Sequence, residues 1–223
     1  GEKKTSGGIT VYVDGEWESS EIHWSHLLLA VGRKTNTYSL NIEAAGVKIY
    51  EHGYIGVDDY LETSIPGIYA LGDCNGKGAF THTAYNDYEI IAENMFEGKD
   101  RKVSDRIVTY NLYTDPPLGR AGLTMEQAVK TGKKLRVGFR KMSDVARALE
   151  KGETAGFMRA IIDAESGKIL GASILGTGGD EIISSILNIM YAGVTYELIR
   201  DSVYPHPTVS ELIPTMLEEL KDL

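Results

Sequence analysis

The chain has a single cysteine, Cys74, among 223 residues. One thiol excludes an internal disulfide framework and any redox pair built from this chain alone. Apolar runs are short as well. None approaches the roughly 18 to 20 residues that span a bilayer, so no membrane partner is expected. Cations are outnumbered, 23 Lys and Arg against 32 Asp and Glu, for a formal charge of −9. No extended basic surface is left to neutralise phosphates, which argues against nucleic acid. The 13 tyrosines are scattered and not interleaved with cations, so an RNA-stacking surface is not expected either. A secretory signal is missing, because "GEKKTSGG" leads into a strand-like segment and not an apolar stretch; the expected location is cytoplasmic. The first residue is Gly1, not methionine, and further chain upstream is expected.

What is present reads as ordinary globular material, 42% hydrophobic and 25% charged. "GITVYVDGEWESSEIHWSHLLLAVG" alternates at Ile9, Val11 and Val13, turns at Asp14-Gly15, and returns toward the apolar run Leu27 to Val31. That pattern predicts a hairpin feeding a strand buried on both faces. A second such strand is predicted at "GIYALGD", residues 67–73. Short strands and turns fill the sequence between them. The loop "CNGKG" follows, then a helix from about Thr81 to Phe96 that stops at Gly98. The charged run at 97–106 marks a domain boundary. Beyond it the sequence predicts strands near 106–114 and 134–141, short helices at 124–132 and 143–152, and a hairpin of 156–163 with 168–176 about an Ala164 to Gly167 turn. Three helical pieces close the chain. Strands in the middle with helices at the end give an α+β fold class, helices packed on one sheet face.

Several short motifs carry chemistry, each with a plain structural alternative. In "ALGDCNGKG" a strand delivers Asp73 into a glycine loop, where a carboxylate can accept hydrogen bonds from sugar hydroxyls; on these residues alone an Asx-turn closing a strand is the plainer reading. Gly32 in "AVGRKTNT" either lets a nucleotide approach the backbone or ends a strand. Cys74 reads as a small buried hydrophobe, having no cationic neighbour to activate it. "GTGGD" lacks the lysine and hydroxyl of a phosphate loop and reads as a turn before a helix. "YPHPTVSEL", residues 204–212, admits two readings. Thr208 and Glu211 fit a capping box that opens a terminal helix. Alternatively, the two prolines aim His206, and Glu211 fixes its tautomer for proton exchange. Both uses compete for one carboxylate.

The order "HLLLAVGRKTNT", "TSIPGIYALGDCNG", "YTDPPLGRAGLTMEQA", "ILGTGGDEIISSI", "HPTVSE" resembles the second half of the FAD-dependent pyridine nucleotide–disulfide oxidoreductases, which include dihydrolipoamide dehydrogenase, glutathione reductase and mercuric reductase. The resemblance runs from about Gly8 to Leu220. It implies that residues 1–33 are the tail of an NAD(P) domain and 34–104 the second half of an FAD-binding α/β domain. Residues 105–223 are then a dimerisation domain, an antiparallel sheet with helices. By the same resemblance Asp73, preceded by Gly72, binds the flavin's ribityl chain. Ala79, Phe80, Thr81 and His82 contact the flavin, and Gly32 lies near the nicotinamide dinucleotide. His206 and Glu211 match an acid–base pair that reaches across a homodimer to the partner's flavin-side disulfide. FAD and NAD(P) are the implied cofactors, and a small-molecule electron acceptor the implied substrate.

The family's N-terminal G-x-G-x-x-G, its C-x4-C pair and its second dinucleotide fingerprint are absent, as expected of a C-terminal fragment that is inactive alone. The end "EELKDL" has no cysteine pair, which disfavours mercury reduction, although "FTHTAYNDY" and "DPPLGR" resemble the mercuric-reductase-like members. A non-catalytic dimerisation or interaction module is the main alternative. A nucleotide-binding protein without redox chemistry is another, and it leaves His206 and Glu211 unexplained.

Overall fold

In the computed structural model, which describes residues 2–5, 7–14 and 19–223, the chain opens with a three-stranded antiparallel sheet: β1 (Glu2–Thr5), β2 (Gly8–Asp14) and β3 (Ser19–Trp24). The expected hairpin is β2–β3, in which Ile9 pairs Trp24 and Val13 pairs Ser20. Gly15, half of the expected turn, lies outside the described residues. The alternation differs from expectation in one respect. Thr10 is the buried residue, its hydroxyl hydrogen-bonded to His23 Nδ1 at 2.8 Å, while Val13 is 42% exposed.

Two expected strands do not form. Leu28, Leu29 and Val31 are 88%, 72% and 93% exposed, and no strand pairs with them among the described residues. A strand buried on both faces needs neighbours to hydrogen-bond and layers to cover it. The 67–73 segment makes only an isolated bridge, Tyr69 to Glu62, with Ile68 and Leu71 partly exposed. The connecting stretch folds as expected through the bridges Ile49–Ile55 and Val57–Thr63, around a small core of Val47, Ile55 and Ala70. Helix α1 (Thr81–Glu97) ends where Gly98 takes a left-handed φ of 67°.

The remainder is one six-stranded antiparallel sheet in the order β4-β5-β8-β7-β6-β9. Its strands are β4 (Thr109–Leu112), β5 (Leu118–Gly122), β6 (Leu135–Lys141), β7 (Phe157–Asp163), β8 (Ile169–Leu175) and β9 (Lys221–Asp222). The β7–β8 hairpin was expected; β5 and β9 were not, being a glycine-rich five-residue stretch and a two-residue edge. Helices α3 (Ala146–Lys151), α4 (Gly179–Ala192), α5 (Glu197–Arg200) and α6 (Leu212–Glu218) bury one sheet face. Ile174, Ile183, Ile186, Ile213 and Met216 are at most 2% exposed there, each such side chain contributing about 1.5–3 kcal/mol. Helix α2 (Met125–Lys130), capped by Thr124 whose Oγ1 accepts from Gln127 N at 3.1 Å, covers an end of the other face. The α+β class holds, and α3 to α6 form the expected layer on one face, while α2 departs from it by packing on the other.

Candidate functional site

The loop between Ala70 and α1 is shaped by a buried carboxylate that the sequence patterns do not reveal. Asp87, 1% exposed, sits on the inner side of α1 with Thr83 and Ile90. Its Oδ2 accepts from Gly72 N at 2.9 Å and from Asn75 Nδ2 at 2.8 Å. Its Oδ1 accepts from Arg106 Nη1 at 2.8 Å. Arg106 Nη1 also donates to the Thr83 carbonyl at 2.9 Å. A buried charge needs this kind of satisfaction. Gly72 has a φ of 76°, and a Cβ there would stand 3.3 Å from that of Ala84, so glycine fits the turn closely. The 4-residue spacing of Thr83 and Asp87 before Ile90, one helix face, was the available sequence signal.

Held this way, the loop presents Asp73 outward. Its Oδ2 accepts from Arg33 Nη1, and Arg33 Nη1 also donates to the Ala79 carbonyl at 3.1 Å. Asp73 Oδ1 takes no hydrogen bond among the described residues. Gly32, at a φ of 136° that favours glycine, joins Arg33, Tyr54, Asp73, Cys74 and Ala79 around a cavity of about 770 Å³. The structure thus brings Gly32, Asp73 and Ala79 together. Cys74 is half-buried and donates to the Leu71 carbonyl at 3.2 Å; burial pushes its thiol pKa up, away from the range of an activated thiolate.

Phe80, Thr81 and His82 form a second group at the start of α1. Thr83 Oγ1 accepts from Phe80 N at 3.1 Å and donates to the Phe80 carbonyl at 2.7 Å, which sets the helix start. His82 Nε2 donates to the Thr109 carbonyl at 2.9 Å, so that nitrogen carries a proton. The rings of Phe80, His82 and Tyr110 lie 5.4 and 5.6 Å apart in a stack. The three residues line a cavity of about 460 Å³ together with Tyr110, Ile183 and Leu187.

His206 and Glu211 stand apart from both groups and line none of these cavities. Their own geometry is close: Nδ1 of His206 lies 2.9 Å from Glu211 Oε2. A carboxylate only accepts, so Nδ1 bears the proton and Nε2 is left free. The side chain of His206 is 72% exposed, that of Glu211 15%. Only half of a capping box is made. Glu211 N donates to Thr208 Oγ1 at 3.3 Å, but the Glu211 carboxylate turns to the imidazole. The helix accordingly starts at Leu212, later than a Thr208 cap implies. Val209, 7% exposed, and the buried face of α6 anchor the loop to the core.

Two family descriptions match. Residues 3–87 fit the pyridine nucleotide–disulphide oxidoreductase domain, and residues 108–217 the pyridine nucleotide–disulphide oxidoreductase dimerisation domain. The chain is 34% identical, over 92% of its length, to the probable pyridine nucleotide-disulfide oxidoreductase RclA of Escherichia coli, covering 46% of that protein. It is 35% identical to a dihydrolipoyl dehydrogenase of Thermus scotoductus over 99% of its own length and 48% of the other. The solved structure of the HOCl-induced flavoprotein disulfide reductase RclA from Escherichia coli superposes with a TM-score of 0.85 at 32% identity, over 97% of this chain and 49% of that one. The chain spans about half the length of the curated relatives it matches. With two domain descriptions met in order and the fold shared, the chain belongs to the pyridine nucleotide–disulphide oxidoreductase family.

Proposed function

We propose that the chain forms the C-terminal half of a homodimeric, FAD- and NAD(P)-dependent oxidoreductase acting on a disulfide or a related small-molecule acceptor. The observation that carries this is the His206–Glu211 contact: an exposed imidazole with one nitrogen engaged by a carboxylate and the other free. Bound FAD supplies the electron transfer between a nicotinamide dinucleotide and a dithiol. The residues present fit one part of such a group, since Asp73 keeps Oδ1 unengaged at a cavity of about 770 Å³. Asp73 would hold ribityl hydroxyls there, on the turn that Gly72 allows and beside Ala79, with Gly32 toward the nicotinamide dinucleotide, and Phe80, Thr81 and His82 would contact the flavin. His206 takes a thiol proton on Nε2 and returns it, while Glu211 stabilises the imidazolium at Nδ1.

Homodimerisation is supported by the dimerisation-domain match and by α4, whose Ile182, Leu187, Ile189 and Met190 are only partly buried in the single chain. Among the described residues no helix is long and apolar enough to cross a membrane. Rapid mixing on the full-length protein separates the two half-reactions. His206→Ala is expected to slow thiol–disulfide exchange by about 10²-fold or more, leaving flavin reduction by the nicotinamide within about twofold. Equal loss in both half-reactions overturns the role of His206.

A further inference from the structure

The six-stranded sheet has a second face that α3 to α6 do not touch. Strand register sets Tyr110, Arg120, Ser173, Arg159 and Phe139 in one row across it, one residue each from β4, β5, β8, β7 and β6. The adjoining row is Leu112, Leu118, Leu175, Phe157 and Lys141. Helix α2 covers the sheet only on the far side, where Ile161 packs with Ala128 and Leu135. Phe139 and Leu112 stay 48% and 41% exposed. These two rows hold cations and apolar groups and no carboxylate, on a chain whose formal charge is −9.

The two arginines are unusual in having no counter-charge among the described residues. Arg120 Nη1 donates to Tyr110 Oη at 3.3 Å, and the two guanidiniums lie 5.6 and 5.7 Å from the Tyr110 and Phe157 rings. Both Nε atoms are shut off from solvent without a partner. Burial lowers the pKa of Arg159 and the charge of Arg120 adds to it, the mark of uncompensated positive charge. Like charges across one serine are held at a cost that an arriving carboxylate removes. Neither arginine lines any cavity described above, so a small anion finds no enclosure there. Arginine, tyrosine and phenylalanine bordered by leucine is instead the composition of a protein-interface core. The partly buried apolar side chains of α4, which suit a second copy of the chain, belong to the opposite face.

We propose that this face docks an acidic segment of another protein, its carboxylates taken by Arg120 and Arg159 and its apolar side chains laid on Phe139, Phe157 and Leu118. A dye-labelled poly-glutamate peptide and the full-length protein test it by fluorescence anisotropy. Arg120→Ser with Arg159→Ser is expected to weaken binding about tenfold or more, and added salt to weaken the wild type much more than the variant. Arg120→Glu with Arg159→Glu is expected to abolish poly-glutamate binding while circular dichroism and the urea midpoint remain those of a folded protein. Unchanged peptide affinity in the serine variant, or retained binding in the reversed one, overturns the proposal. So does displacement of the peptide by inorganic phosphate at matched charge, which makes the face a small-anion site. A wild-type oligomer that dissociates in the serine variant, seen by light scattering, assigns the face to a second copy and also overturns it.

Discussion

Glu211 serves two neighbours with different atoms. Its backbone N–H completes the Thr208 turn, and its carboxylate holds Nδ1 of His206. Spacing alone cannot separate these uses, because T-x-x-E describes residue types and not the direction in which the carboxylate turns. Asp163 shows the same economy at the β7 end. Its carboxylate takes Lys133 Nζ at 2.5 Å and Glu165 N at 3.1 Å. The Lys133 contact, followed by those of Ser166 and Glu165, holds its pKa well below the usual range. With the folded pKa depressed, the stabilisation is complete above the ordinary aspartate value of about 4 and fades as the pH falls below it. Asp163→Asn is therefore expected to lower the urea midpoint at pH 7, and the gap from wild type to narrow steadily between about pH 4 and pH 2. A gap that stays constant with pH contradicts this.

At the scale of elements, legibility followed whether a segment carries its own partner. The β7–β8 hairpin is written locally, as two apolar runs about a turn, and it forms as read. The apolar runs at 27–31 and 68–71 advertise buried strands equally clearly, yet burial depends on distant neighbours that periodicity does not name. Strand β5 was missed for a related reason. Gly119 is there because the N-terminus of α4 presses on it: a Cβ would stand 2.2 Å from the Gly179 carbonyl. Gly119→Ala is expected to cost about 1–3 kcal/mol in denaturant unfolding as the helix is pushed off the sheet; a change below half of one kcal/mol would show that α4 yields freely. The Asp87–Arg106 pair joins α1, the 72–75 loop and the segment entering β4. Asp87→Ala strands a guanidinium that is 11% exposed, and a loss of about 3–5 kcal/mol is expected. Retained stability in that variant contradicts the anchoring of the Asp73 loop by Asp87.

The whole molecule separates what its proposed chemistry must bring together. Asp73, Gly32 and Ala79 share one cavity, whereas His206 and Glu211 project elsewhere on a loop anchored to the sheet core. In the proposed homodimer a second copy of the chain would reconcile them, its His206 serving the neighbour's Asp73 side. Motif order carries that expectation through family resemblance, while the 2.9 Å contact at Nδ1 is visible only in the fold. Two disabled forms of the full-length protein test the arrangement directly: one subunit carries His206→Ala, the other a substitution of Asp73 that abolishes flavin binding. Each homodimer is expected to lose most of its activity, one for want of His206 and the other for want of flavin. Randomly mixed subunits are predicted to recover about a quarter of wild-type activity, because each heterodimer pairs an intact His206 with its partner's intact flavin side. No recovery, with heterodimers demonstrably formed, would contradict a site completed across the dimer.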